Sequence, residues 1–180
     1  MGRYKAVEPK EPSHKRPSYF NAPPMPTSPQ SDSSNDATFR NHRVLPFPPA
    51  RIFEAFARPE ELSQWWGPDG FTNTFETFEF KPGGLWKFVM HGPDGTNYPN
   101  ECIFRELHAP SRLVIDHVVT PHFTLTITLT PHETGTVITW NQEFESAAFV
   151  ARVRHIIEPA NEQNLNRLHA VLAAASNKSV

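Results

Sequence analysis

Between Phe123 and Thr130 the chain reads Phe-Thr-Leu-Thr-Ile-Thr-Leu-Thr, apolar at every second position with threonine between. Only extended backbone sends successive side chains to opposite sides, so this segment belongs to a sheet with one face in a core and the other in water. Rougher alternation runs through Phe75 to Phe80, Leu85 to Met90, Glu101 to Leu107, Leu113 to Val119 and Thr136 to Phe144. Short turn signals separate these runs, among them Pro82-Gly83-Gly84, Pro93-Asp94-Gly95, Ala109-Pro110-Ser111, Thr120-Pro121 and Glu133-Thr134-Gly135. Connections this short join antiparallel neighbours, which makes the six runs a meander.

The flanks have other periods. Arg40 to Phe47 reads as a first strand at a sheet edge, stopped by Pro46, Pro48 and Pro49. Pro49 then suits the first turn of a helix in which Ile52, Phe53 and Phe56 share a face, ending before Pro59. A second short helix is expected over Glu60 to Trp66, with Glu60 and Glu61 at its electropositive start and Gly67-Pro68 as its stop. Neither helix is long enough to stand alone, so both must pack on the sheet. After Phe144 an apolar stripe at helical spacing runs through Phe149, Val153, Ile156, Ala160, Leu165, Leu168 and Leu172. Pro159 is expected to break or kink it, leaving Ala160 to Ala175 as the long closing helix.

Composition divides the chain once. Residues 1 to 37 hold seven prolines, from Pro9 to Pro29, among Ser, Asn and Asp, and too few large apolar groups to bury a core. This stretch reads as a disordered Pro/Ser-rich arm, with Tyr4, Tyr19 and Phe20 as isolated points that could dock, and residues 38 to 180 as one domain. Pro23 and Pro26 form a PxxP spacing that such an arm produces by chance.

Bulk chemistry excludes several classes of function. A net charge of -2 offers no basic field for nucleic acid. Cys102 is the sole cysteine, so no intrachain disulfide can form, and a reducing, cytoplasmic setting fits. No segment approaches the roughly 20 apolar residues that span a bilayer. His108, His117, His122 and His132 fall on different strands or turns without metal-ligand spacing, so no metal is expected. There is no Gly-x-Ser-x-Gly elbow and no Gly-rich strand-to-helix loop, and Gly83-Gly84 reads as a hairpin, so no nucleotide or other cofactor is expected. Cys102, on an alternating strand, reads as a small buried hydrophobe.

Several local patterns occur in a specific order: Pro48-Pro49 with Ile52, Phe53 and Phe56; Pro59-Glu60 leading to Trp65-Trp66-Gly67-Pro68; Pro82-Gly83-Gly84 before Trp86 and Phe88; Leu113-Val114 after Pro110; and Asn161-Glu162-Gln163-Asn164-Leu165 before Leu168. With them the chain, from about Arg40 to Ala174, resembles the activator-of-Hsp90-ATPase-like branch of the START and polyketide-cyclase superfamily, often called SRPBCC. The resemblance implies an α+β helix-grip fold, a curved antiparallel sheet of about seven strands around a long C-terminal helix, with an apolar cavity between them. The eukaryotic chaperone activators of this family carry a separate chaperone-binding domain in front, for which the first 37 residues are too few and too polar.

Such a cavity would draw its walls from the inward phase of the sheet and the near side of the last helix. The aromatic candidates are Trp65, Trp66 and Phe71 around the second helix, Trp86, Phe88 and Phe104 on the early strands, and Phe123, Trp140 and Phe144 on the late ones, with Ile156 from the helix. Each could equally fill an ordinary core. Among polar residues, His117 shares the phase of Leu113, Ile115 and Val119, and Gln142 that of Ile138, Trp140 and Phe144. An inward imidazole could act in acid-base chemistry or bond to its neighbours, which makes His117 the one catalytic candidate. Glu106 follows Phe104 in phase but near a strand end, and Asp116 and His117, adjacent on a strand, face opposite ways. Three functions follow: a binding protein for a small apolar, aromatic or lipid-like ligand, more an expected carrier than an enzyme; a cyclase- or hydratase-like enzyme; or a chaperone-associated stress-response protein that binds a protein partner. Homodimerisation through a sheet edge is compatible with any of them.

Overall fold

A computed structural model describes residues 37–176; the Pro-rich arm, with Tyr4, Tyr19, Phe20 and the PxxP pair, lies outside the described residues. The elements run β1 (Thr38–Leu45), α1 (Pro49–Ala57), α2 (Pro59–Trp65), β2 (Thr72–Phe78), β3 (Leu85–His91), β4 (Asn97–His108), β5 (Arg112–His117), β6 (Phe123–His132), β7 (Gly135–Phe144) and α3 (Ala147–Ser176). The seven strands form one antiparallel sheet in the order β1-β7-β6-β5-β4-β3-β2. The meander is therefore continuous from β2 to β7, and β1 closes onto β7 as an edge strand, as the sequence indicated.

Along β6 the buried positions are Leu125, Ile127 and Leu129, with the threonines turned outward. Opposite them on β7 stand Gln142, Trp140 and Ile138. Helices α1 and α2 lie with α3 on this inner face, α1 against β6, α2 against β2, and α3 against β1 and β7. Trp65 is fully buried beneath them, its Nε1 donating to the Ala55 carbonyl at 3.1 Å.

Four features depart from simple alternation. A bulge between Phe75 and Thr77 places Phe75 opposite Phe88 and Phe78 opposite Trp86, so both phenylalanines face inward although three residues apart. A second bulge, between Phe104 and Glu106, takes Glu106 out of the phase of Phe104 and pairs it with Val114; its carboxylate accepts from Arg112 Nε at 3.2 Å. Strand β4 begins at Asn97, four residues earlier than the alternation suggested, and contains Pro99. Proline is tolerated there because β5 stops at His117, opposite Cys102, and its last bond to β4 is from the Val118 N–H to the Glu101 carbonyl, so residues 97 to 100 pair with β3 alone and the missing N–H faces an open side.

The fourth departure corrects the expected break at Pro159: α3 is one helix of 30 residues with Pro159 inside it. A proline removes one backbone bond, and dense anchoring immediately downstream outweighs that loss, with Asn161, Asn164, Leu165, Leu168 and Leu172 all buried. Asn41 donates to Glu162 at 2.6 Å, Arg43 donates to Asn166 at 2.6 Å, and Arg43 also pairs with Glu162, tying this half of α3 to β1.

Phe104, 1% exposed, packs against Phe78, Phe80 and Trp86. Its replacement by Ala should lower the unfolding free energy by about 3–5 kcal/mol in urea titrations, the range for an aromatic side chain lost from a tight core.

Candidate functional site

The geometry of the site begins with Trp66, the residue after α2. Its ring centroid lies 4.9 Å from that of Trp86 on β3 and 5.5 Å from that of Trp140 on β7. Those strands are four ladder steps apart, roughly 19 Å on a flat sheet, and one indole can touch rings from both only if the sheet curls around it. Gly67 follows with φ +97°, a conformation that favours glycine.

The loop that carries these residues is pinned to α3. Arg167 donates to four carbonyls, those of Gln64, Gly67, Pro68 and Phe71, at 2.7 to 2.9 Å. The Gly67 N–H donates to Asn164 Oδ1 at 2.6 Å and the Asp69 N–H to Gln163 Oε1 at 3.0 Å. Burial pushes the Arg167 pKa below its usual value, and the nearby Asp69 carboxylate opposes that shift.

Between this loop, the inner face of the sheet and the middle of α3 lies a partly enclosed cavity of about 450 Å³. Trp66 and Phe71 line it from the loop, Phe88 from β3, Phe123 from β6, Trp140 from β7 and Ile156 from α3. His117 and Gln142 contribute polar edges. The remaining four candidates lie elsewhere. Trp65 is sealed in the α1–α2 core, where it meets Phe56, and Trp86 and Phe104 stack parallel to each other in a layer behind the wall. Phe144 faces the far end, packed with Phe39 and Val150. Alternation assigns a side chain to a face, but position along the strand decides whether it meets space or a neighbour.

Other wall residues carried no sequence signal strong enough to single them out. Met90, Tyr98 and Asn100 enter because the β3–β4 pair extends past the end of β5. Asn161 and Asn164 stand in the sequence only as parts of a pattern.

His117 is 6% exposed, and its ring stacks on Phe123 at 4.6 Å and 8°. Its Nδ1 donates to the Pro121 carbonyl at 2.8 Å, while Nε2 lies 3.0 Å from Asn100 Oδ1, the Asn100 Nδ2 donating to the Tyr98 carbonyl at 2.7 Å. Burial lowers its pKa below the usual histidine value, opposed by bonds to the carbonyls of Pro121 and Val119. Burial likewise pushes the Cys102 thiol up to about 12. Among the described residues, no three His, Cys, Asp or Glu side chains converge as a metal site.

Residues 46–174 match the family described as Activator of Hsp90 ATPase homolog 1-like protein. The chain belongs to this family. The match begins at Pro46, just after β1, and ends within the last turn of α3, so it contains every wall of the cavity. Solved structures share the fold. A protein from Nitrosomonas europaea superposes with a TM-score of 0.73 at 21% identity, covering 81% of this chain and 99% of its own. One from Arthrobacter aurescens gives 0.72 at 27% identity, over 82% and 92%, and one from Chromobacterium violaceum gives 0.67 at 27%, over 74% and 96%. No curated protein matches the sequence. Membership of this family points to a ligand-binding fold, and no helix among the described residues is long and apolar enough to cross a membrane.

Two expectations follow. Arg167→Met should lower stability by about 1–2 kcal/mol, because four part-buried or exposed carbonyls lose a charged donor, and Arg167→Lys should restore less than half of that in urea unfolding. For His117, the folded state resists protonation more than the unfolded chain does. The resulting penalty is absent well above the usual histidine value of about 6.5, sets in as pH falls through it, and is complete below the depressed folded value. Thermal unfolding at about pH 7 and about pH 5 should therefore show a larger loss for the wild type than for His117→Gln.

Proposed function

We propose that this protein binds a small apolar or aromatic molecule in the cavity beneath α3. One observation carries the reading: a partly enclosed, aromatic-walled space of about 450 Å³ lies between the loop after α2, the inner face of the sheet and α3. Ligand pockets typically measure roughly 300–1,000 Å³. Of the large apolar side chains that stay exposed, Tyr98 and Ile156 border this same cavity. The twelve candidate residues divide accordingly into the eight that line it and the four that support it from behind or beyond.

Acid-base catalysis has weaker support. Both ring nitrogens of His117 face oxygen acceptors of the protein, the Pro121 carbonyl and Asn100 Oδ1, and the Cys102 thiol is held neutral. No feature of the described surface singles out a protein partner. The buried lone thiol fits a reducing, cytoplasmic compartment, and residues 1 to 37 are read as an arm outside the binding domain, dispensable for the ligand.

Native mass spectrometry of the purified protein and titration with the uncharged fluorophore N-phenyl-1-naphthylamine test the proposal. Saturable fluorescence enhancement is expected, with a melting temperature that rises with probe concentration. Ala160→Phe, which places a ring at the cavity wall, should abolish the enhancement while leaving the melting temperature of the free protein within a few degrees. Absence of binding in the wild type would remove the reading.

A further inference from the structure

The cavity walls contain no Asp, Glu, Lys or Arg side chain. His117 and Cys102 are both biased toward their neutral forms, and the nearby Arg167 guanidinium is spent on four carbonyls. A charged ligand would enter without a counter-charge, which burial penalises heavily.

Trp140 Nε1 is buried without a hydrogen-bond partner among the described residues, and Gln142 is a second polar group of the wall, for which a chain of hydrogen bonds fixes the atom that faces the space. Glu162, a carboxylate, only accepts, so the Asn41 amide presents Nδ2 to it, at 2.6 Å. Asn41 Oδ1 is thereby turned toward Asn161 Nδ2, at 3.5 Å, and Asn161 Nδ2 in turn donates to Gln142 Oε1 at 3.2 Å. The polarity set at Glu162 thus propagates to Gln142 and leaves its Nε2 as a donor. Gln142 is 8% exposed and lines the cavity, and its side chain makes no other hydrogen bond among the described residues.

Building on the binding reading above, we infer that the ligand is an uncharged aromatic molecule carrying a carbonyl- or ether-type oxygen, and that this oxygen accepts from Gln142 Nε2. The rings of Trp66, Phe88 and Trp140 take the flat body. The volume equals roughly 15 water molecules at ~30 Å³ each, enough for a fused-ring skeleton with a short substituent. Gln142 selects for an acceptor, and the uncharged walls select against acids and amines of the same shape.

Matched probes separate these elements: 2-acetylnaphthalene, naphthalene and 2-naphthoate, titrated against the full chain by tryptophan fluorescence. The ketone should bind at least roughly 30-fold more tightly than the carboxylate, since an unpaired buried charge costs about 2 kcal/mol or more. It should bind several-fold more tightly than the hydrocarbon. Gln142→Met and Gln142→Leu remove the donor without adding a charge; each should weaken the ketone about tenfold and leave naphthalene nearly unchanged. Equal affinity for naphthoate and the ketone overturns the inference while the binding reading stands. A ketone preference that survives both substitutions overturns the assignment to Gln142. If neither these probes nor N-phenyl-1-naphthylamine bind, the binding reading itself fails and the inference falls with it.

Discussion

Four carbonyl oxygens converge on one guanidinium in this protein, and most of what is distinctive in its architecture follows from that. Arg167 fastens the loop after α2 to the middle of the last helix, and Asn164 adds the Gly67 N–H to the same junction. Backbone groups in such a tight, half-buried loop need partners, and here side chains of α3 provide them. The loop in turn delivers Trp66 between Trp86 and Trp140, which couples the two ends of a curled sheet. Helix, loop and sheet are thereby held apart as well as together, and the gap between them is the cavity.

Polar and apolar contributions are divided along α3. Downstream of Pro159 the helix is anchored by Asn161, Asn164, Leu165, Leu168 and Leu172 and by the Arg43–Glu162 pair. Upstream, Val150 alone is fully buried, and Ile156, 59% exposed, borders the cavity. The half of the helix with Ile156 is thus the half with least packing behind it, and the half that carries the hydrogen-bond relay to Gln142 is the more densely anchored one. The proposed binding site would gain from this arrangement, with its recognition group preorganised and its rim lightly packed.

Much of the fold was legible from local pattern. The threonine alternation of β6, the turn signals between strands and the helical stripe after Phe144 each reflect a single element meeting a single apolar layer, which period alone reveals. The departures from local pattern share a cause. Glu106 left the phase of Phe104 through a bulge, β4 starts at Asn97 and holds Pro99 because β5 ends early, and Pro159 stayed within α3 because its neighbours were anchored elsewhere. In each case a partner distant in sequence overrode the local preference. The candidate site was legible to the same degree: phase placed Trp140, Gln142 and His117 inward, yet it could not separate Trp66 and Phe88, which meet the cavity, from Trp65 and Trp86, which meet other side chains.

By itself the amino-acid sequence determined the order of the elements, the inward face of the regularly alternating strands and the family to which residues 46–174 belong. Those properties depend on residue type and period, which are carried by the chain one element at a time. Only the tertiary structure decided that a space remains, that Arg167 and Asn164 hold it open, and that Gln142 turns a donor toward it. Volumes and hydrogen-bond polarity are set by groups more than a hundred residues apart, such as Asn41 and Glu162, and no local pattern records which distant atoms will meet.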